Sequence, residues 1–139
     1  MADTIEVHVS RIRVVLADDH QSVATRVRET LGNEFVVIDA VNDGSQAIAS
    51  VLSLDADVLV IDISMPILDG LQAATQLQRA NCQTKIIFLT IHEDLDFVAA
   101  AFAAGASAYV IKSRLSTDLI PAIRAALLGN TFVSQPLEM

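Results

Sequence analysis

Five short apolar runs, rich in β-branched residues, alternate along this chain with segments of helical pattern. The runs fall at residues 12–17, 35–40, 57–61, 85–89 and 107–111, and helices are expected at 21–31, 44–53, 70–80, 94–104 and 116–128. Continuous apolar runs without polar alternation belong to strands buried on both faces, which is the environment of a parallel sheet. Strict alternation with helices then requires right-handed crossovers and an α/β fold with one doubly wound sheet. Turn chemistry marks the same divisions: Asn42-Asp43-Gly44 precedes the second helix, Pro66 and Gly70 bracket the loop before the third, and Gly129-Asn130 ends the fifth. Residues 94–108 are rich in alanine, which favours helix but buries little area. The fourth helix is therefore expected to be weakly anchored.

A chain of 139 residues that is 53% hydrophobic supports one well-buried core, assigned to residues 11–130. Residues 1–10 read as an N-terminal extension, and 131–139 as the start of a linker or a tail. The net charge of −8 opposes binding to nucleic acid, which depends on Lys and Arg neutralising phosphates. Cys82, the single cysteine, cannot form an internal disulfide. No leader-like start and no run able to span a bilayer are visible, so a cytoplasmic protein without a membrane partner is expected.

Four of the runs end in polar residues. VVLA leads into Asp18 and Asp19, VLVI into Asp62, IIFL into Thr90 and YVI into Lys112. Ligand sites in parallel sheets lie just beyond the carboxyl ends of the strands, so these five side chains are expected to converge. Singly, each carboxylate reads as a helix cap or a solvated loop residue, and Lys112 as a surface lysine. Five such residues at strand ends argue for one pocket. Three carboxylates form a hard-oxygen cluster suited to magnesium. An aspartate can accept a phosphoryl group, and Asp62, alone at the end of the middle strand, is the nucleophile candidate. The metal, Lys112 and the Thr90 hydroxyl would then supply charge neutralisation and positioning. ADDHQS is acidic where a P-loop or a dinucleotide fold needs a glycine-rich turn, and its paired aspartates would repel a flavin phosphate. An aspartate-based hydrolase lacks a second carboxylate two residues past Asp62, where Ser64 stands.

The strings VVLADDH, VLVIDISMPILDG, IIFLT and GASAYVIKS resemble the receiver domain of bacterial two-component response regulators over roughly residues 11–130. DDH, and AYVIKS followed by a helix ending LLGNTFVS, look most like the subfamily with a C-terminal LuxR/NarL-type helix-turn-helix. The resemblance implies a flavodoxin-like, CheY-like sheet of five strands in the order 2-1-3-4-5. It makes Asp62 the phosphoacceptor, Asp18, Asp19 and Asp62 with the Ser64 main-chain carbonyl the ligands of Mg2+ or Mn2+, Thr90 the switch hydroxyl, Lys112 the phosphoryl counter-ion and Tyr109 the switch aromatic. A histidine kinase would be the phosphodonor. The face built from helix 4, strand 5 and helix 5 would transmit the signal and support a homodimer, and DNA would be reached only through a domain absent from this chain. Such a protein modifies itself but turns over no metabolite.

Two positions depart from the commonest receiver pattern. Ile91 follows Thr90 where many receivers have a small residue, and its bulk would shield the phosphoryl site. Ser113 follows Lys112 where proline is frequent, and without proline a cis peptide costs about 2.5–4 kcal/mol. His92, two residues past Thr90, is expected to overhang the pocket and modulate hydrolysis, whereas His20 reads as a solvated or capping residue. Met65-Pro66 shapes its loop, and Asp69-Gly70 caps the third helix. Two rival readings remain: a stand-alone receiver for phosphorelay or partner docking, and a scaffold that keeps the pocket but signals without phosphate.

Overall fold

A computed structural model of the chain describes residues 11–135, so the proposed extension at 1–10 lies outside the described residues. The strands are β1 Ile12–Ala17, β2 Phe35–Val41, β3 Val58–Ile61, β4 Lys85–Thr90, β5 Ala108–Ile111 and β6 Phe132–Val133. The helices are α1 Gln21–Thr30, α2 Gly44–Leu54, α3 Gly70–Arg79, α4 Leu95–Ala103 and α5 Leu115–Leu127, the last entered through a 3-10 turn at Lys112–Arg114. All strand pairs are parallel and the order is β2-β1-β3-β4-β5-β6.

The two-residue period of the strands builds both sides of the core. Val15, Leu59, Phe88 and Tyr109 face α2, α3 and α4, where they meet Ala47, Val51, Ala73, Leu77 and Val98. Val14, Val60, Ile87 and Val110 face α1 and α5, against Val23, Val27, Leu115, Leu119 and Ile123. Both alternating sets are apolar because both faces are covered. Helix starts are fixed by side chains: Asp43 accepts from Gln46 N–H, Asp94 accepts from Asp96 N–H, and Asp69 forms a capping box with Gln72. The alanine-rich α4 buries only Val98 and Ala101, whereas α5 buries six side chains.

The sheet corrects one expectation: it has six strands rather than five, so the order 2-1-3-4-5 is extended by β6 beyond β5. Phe132 and Val133, within the stretch read as the start of a linker, pair with Ala108 and Tyr109. A two-residue strand carries no period for a sequence reading to find. Buried hydrogen bonds hold it. Ser134 N–H donates to the Tyr109 carbonyl (2.9 Å), and Ser134 Oγ accepts from Ile111 N–H (3.1 Å) and donates to Asp118 Oδ2 (2.7 Å). Arg114 and Thr117 also donate to the Asp118 carboxylate. Burial disfavours charge on Asp118, but the hydrogen bonds from Arg114, Ser134 and Thr117 outweigh it and hold the carboxyl below its ordinary pKa.

Replacing Ser134 by Ala leaves the buried Ile111 N–H without its acceptor and removes one of the two donors to Asp118 Oδ2, Arg114 Nε remaining. Denaturant unfolding is expected to show a loss of about 1–3 kcal/mol. Limited proteolysis is expected to cut the C-terminal stretch faster than in wild type. Wild-type behaviour in both assays would show that β6 is held by its two-residue pairing alone.

Candidate functional site

Because every crossover returns the chain in the same direction, the carboxyl ends of β1, β3, β4 and β5 lie along one edge of the sheet. There Asp18, Asp62, Thr90 and Lys112 are all buried. Lys112 Nζ stands 2.8 Å from Asp62 Oδ2 and 2.9 Å from Asp18 Oδ2. The first contact is an aligned hydrogen bond; the second is an ion pair without that alignment. Burial opposes the ammonium charge, but the close contacts of Asp62 and Asp18 and their negative charges outweigh it and raise the Lys112 pKa.

Asp62 Oδ1 is buried with no hydrogen-bond partner. An orphaned carboxylate oxygen of this kind asks for a cation or a bound group. One ligand atom each from Asp18, Asp19, His20 and Asp62 lies within 4.8 Å of the others. Asp19 is more exposed than Asp18 and Asp62 and stands at the mouth of the cluster. An oxygen-rich donor set with an unmet buried oxygen fits a hard divalent ion. Ser64 also takes part through its side chain, whose Oγ lies 2.8 Å from His92 Nε2.

His92 ties the loop after β4 to its surroundings. Its ring stacks on Phe97 of α4 (centroids 4.3 Å apart), its N–H lies 3.4 Å from Thr90 Oγ1, and its carbonyl accepts from the Tyr109 hydroxyl at 2.7 Å. Tyr109 is fully buried and packs against Phe88. Burial, then the charges of Asp62 and Asp94, push its phenol well above the ordinary pKa. Ile91 is 69% exposed, so its side chain stands out from the rim beside Thr90 and is not packed into the buried floor.

The loop carrying Ser64 is pinned at close quarters. A β-carbon on Gly70 would lie 2.1 Å from the carbonyl oxygen of Asp62, and one on Gly44 would lie 2.1 Å from that of Leu68. Gly70 N–H donates to the Ile63 carbonyl and Gly44 N–H to that of Leu68. Between them Leu68 N–H reaches back to the Pro66 carbonyl (2.8 Å), closing a γ-turn on Ile67, which adopts φ +70° and is 83% exposed. A β-branched residue in that conformation stores strain on the order of 1–3 kcal/mol. Sequence reasoning identified Gly70 as part of a helix cap and as the end of the loop that Pro66 begins. It missed the side-chain bond of Ser64 to His92, because a contact made across a loop has no signature in spacing.

Two outcomes test this geometry. Gly70→Ala must push the loop away from Asp62, so equilibrium unfolding should register a loss of at least about 1–3 kcal/mol. Unchanged stability would mean the loop yields freely. In the alkaline range, an unfolded tyrosine ionises near pH 10 while the folded Tyr109 keeps its proton. The native state then binds more protons than the unfolded chain, so stability falls as pH rises above about 10. The raised Lys112 acts in the same direction, contributing stability that is complete below about pH 10.4 and lost as pH rises through its folded value. Thermal melts should decline above about pH 10, and less steeply in Tyr109→Phe. A decline of equal slope in that variant would rule out the tyrosine as a source.

Residues 14–124 match the family model described as the response regulator receiver domain. The transcriptional regulatory protein DegU of Brevibacillus brevis is 31% identical over 92% of this chain and 55% of its own length. The oxygen regulatory protein NreC of Staphylococcus carnosus is 32% identical over 88% of this chain and 58% of its own length. The chain thus spans about half the length of the curated relatives it matches. Among solved structures, a LuxR-family two-component response regulator from Aurantimonas sp. SI85-9A1 superposes with a TM-score of 0.86 at 29% identity, covering 92% of this chain and 93% of that one. The isolated REC domain of RcsB from Salmonella enterica serovar Typhimurium, determined with phosphomimetic BeF3−, gives 0.83 at 28% identity, covering 92% and 96%. A family match over most of the chain, carried by a site in which Lys112 joins Asp18 to Asp62, makes this protein a member of the response regulator receiver family.

Proposed function

We propose that the chain is a phosphorylation switch in which Asp62 accepts a phosphoryl group from a histidine kinase, with Mg2+ or Mn2+ bound by Asp18, Asp19, Asp62 and the Ser64 carbonyl. The observation that carries this reading is the buried, unpartnered Oδ1 of Asp62 beside an oxygen held by Lys112. Lys112 fixes the carboxylate through Oδ2 and leaves Oδ1 as the attacking atom. That oxygen forms the new O–P bond while the P–N bond to the donor imidazole breaks, and the electron pair returns to the nitrogen. A bound divalent ion supplies charge neutralisation of the phosphoryl oxygens.

Once Asp62 is esterified, the Lys112 ammonium is free to pair with a phosphoryl oxygen. The Thr90 hydroxyl, already near the His92 N–H, donates to a second oxygen and draws the loop after β4 inward. Tyr109 feels that movement through its hydrogen bond to the His92 carbonyl. Ile91 and His92, at the rim, set access to the acyl phosphate. The changed face comprises α4, β5 and α5, now edged by β6, and serves a homodimer contact in a cytoplasmic regulator. A solved structure of RcsB holds two dimers bound to two parallel DNAs. With a net charge of −8 and about half the length of its relatives, this chain would control transcription through a further DNA-binding domain. No helix among the described residues is long and apolar enough to cross a membrane.

Intact-mass spectrometry after treatment with acetyl phosphate and magnesium should show the addition of one phosphoryl group to wild type. Asp62→Asn should fold and gain none. Equal labelling of that variant would remove Asp62 from its role.

A further inference from the structure

We propose that His20 is a nitrogen ligand of the divalent-ion site and shifts the site's preference from magnesium toward softer transition ions. The inference rests on the receiver reading and adds to it a side chain expected from sequence to be solvated. His20 is the N-cap residue of α1, yet its side chain makes no capping hydrogen bond. The ring turns the other way. Nδ1 lies 3.1 Å from Asp18 Oδ1 and 3.2 Å from Asp19 Oδ1, while the backbone N–H of the same residue donates to Asp18 Oδ1 at 2.8 Å.

Metal–ligand bonds of about 2.0–2.1 Å place neighbouring donors of an octahedral ion roughly 3 Å apart. The spacing of Nδ1 from the two carboxylates is therefore that of adjacent corners of one coordination shell. The buried, unpartnered Asp62 Oδ1 marks the same place from beneath. Hydrogen bonds from a ring N–H would have similar lengths, so donor chemistry and not distance separates the two roles. Magnesium takes oxygen and keeps its waters, whereas imidazole nitrogen suits cobalt, nickel, copper and zinc, whose affinities follow the Irving–Williams order. A centre of three carboxylates alone would discriminate less between the two groups. The side chain is 62% exposed at the mouth of the cluster, so it can meet an entering ion without rearrangement of the core.

Isothermal titration with cobalt chloride and with magnesium chloride tests the assignment in wild type, His20→Ala and His20→Asn. Asparagine is a strong capping residue and guards the start of α1. Both variants should lose about tenfold or more in cobalt affinity and less than about twofold in magnesium affinity. Pulsed EPR of bound Mn2+ should show nitrogen-14 modulation that disappears in both. An unchanged cobalt-to-magnesium ratio, or equal tightening for both ions, overturns the assignment and leaves His20 as a proton-bearing competitor for the carboxylates. If wild type accepts phosphate on Asp62 while the ratio is unaffected, only the His20 assignment falls. If wild type binds neither ion and takes no phosphoryl group, the receiver reading falls with it.

Discussion

Two carboxylates, Asp18 and Asp62, are buried together at one edge of the sheet, and a single ammonium makes that arrangement tolerable. Asp18 and Asp62 end adjacent strands, β1 and β3, while Lys112 follows β5, two strands from β3. Its long side chain must therefore cross the end of β4, over Thr90, to reach both acids. Burying like charges side by side would drive one of them to protonate unless a cation compensates. With Lys112 in place the trio still carries one net negative charge and an oxygen without a partner. Buried ion pairs stabilise little against apolar residues of the same shape. Their presence at the end of an otherwise apolar sheet is better accounted for by chemistry than by stability.

β5 joins this charge balance to the rest of the molecule. Within a few residues it supplies the fully buried Tyr109, the approach to Lys112 and the edge on which β6 pairs. Ser134 bonds to the backbone of β5 at Tyr109 and Ile111 and to Asp118 on α5. Any displacement of β5 would thus be shared with β6. β6 forms the β5-side edge of the sheet.

The first five strands and the five helices were legible along the chain because each apolar run is long enough to stand out and is closed by a polar or turn-forming residue, while the order of the strands in the sheet came from the family resemblance. The same runs pointed to Asp18, Asp62, Thr90 and Lys112, since a strand's end fixes where its next residue lies. β6 was not legible: two residues have no period, and the polar pair that secures them, Asp118 and Ser134, looks in sequence like ordinary surface. The Ser64–His92 bond was hidden for a related reason. Its geometry depends on how two loops meet, which the spacing of residues does not encode.

The distribution of buried side chains indicates which part of the fold is held most loosely. A two-state element must be held loosely enough that a local change of charge can shift its equilibrium. α5 is held by six buried side chains, including Asp118 and its hydrogen bonds, so displacing it would break much of one core face. α4 buries one valine and one alanine. Its further ties include the stacking of Phe97 on His92, and His92 in turn contacts Ser64, Thr90 and Tyr109. α4 is therefore connected, through one residue, to side chains that surround the buried Asp62–Lys112 pair. With fewer buried side chains than α5, α4 and its preceding loop would yield to a local change at lower cost than α5.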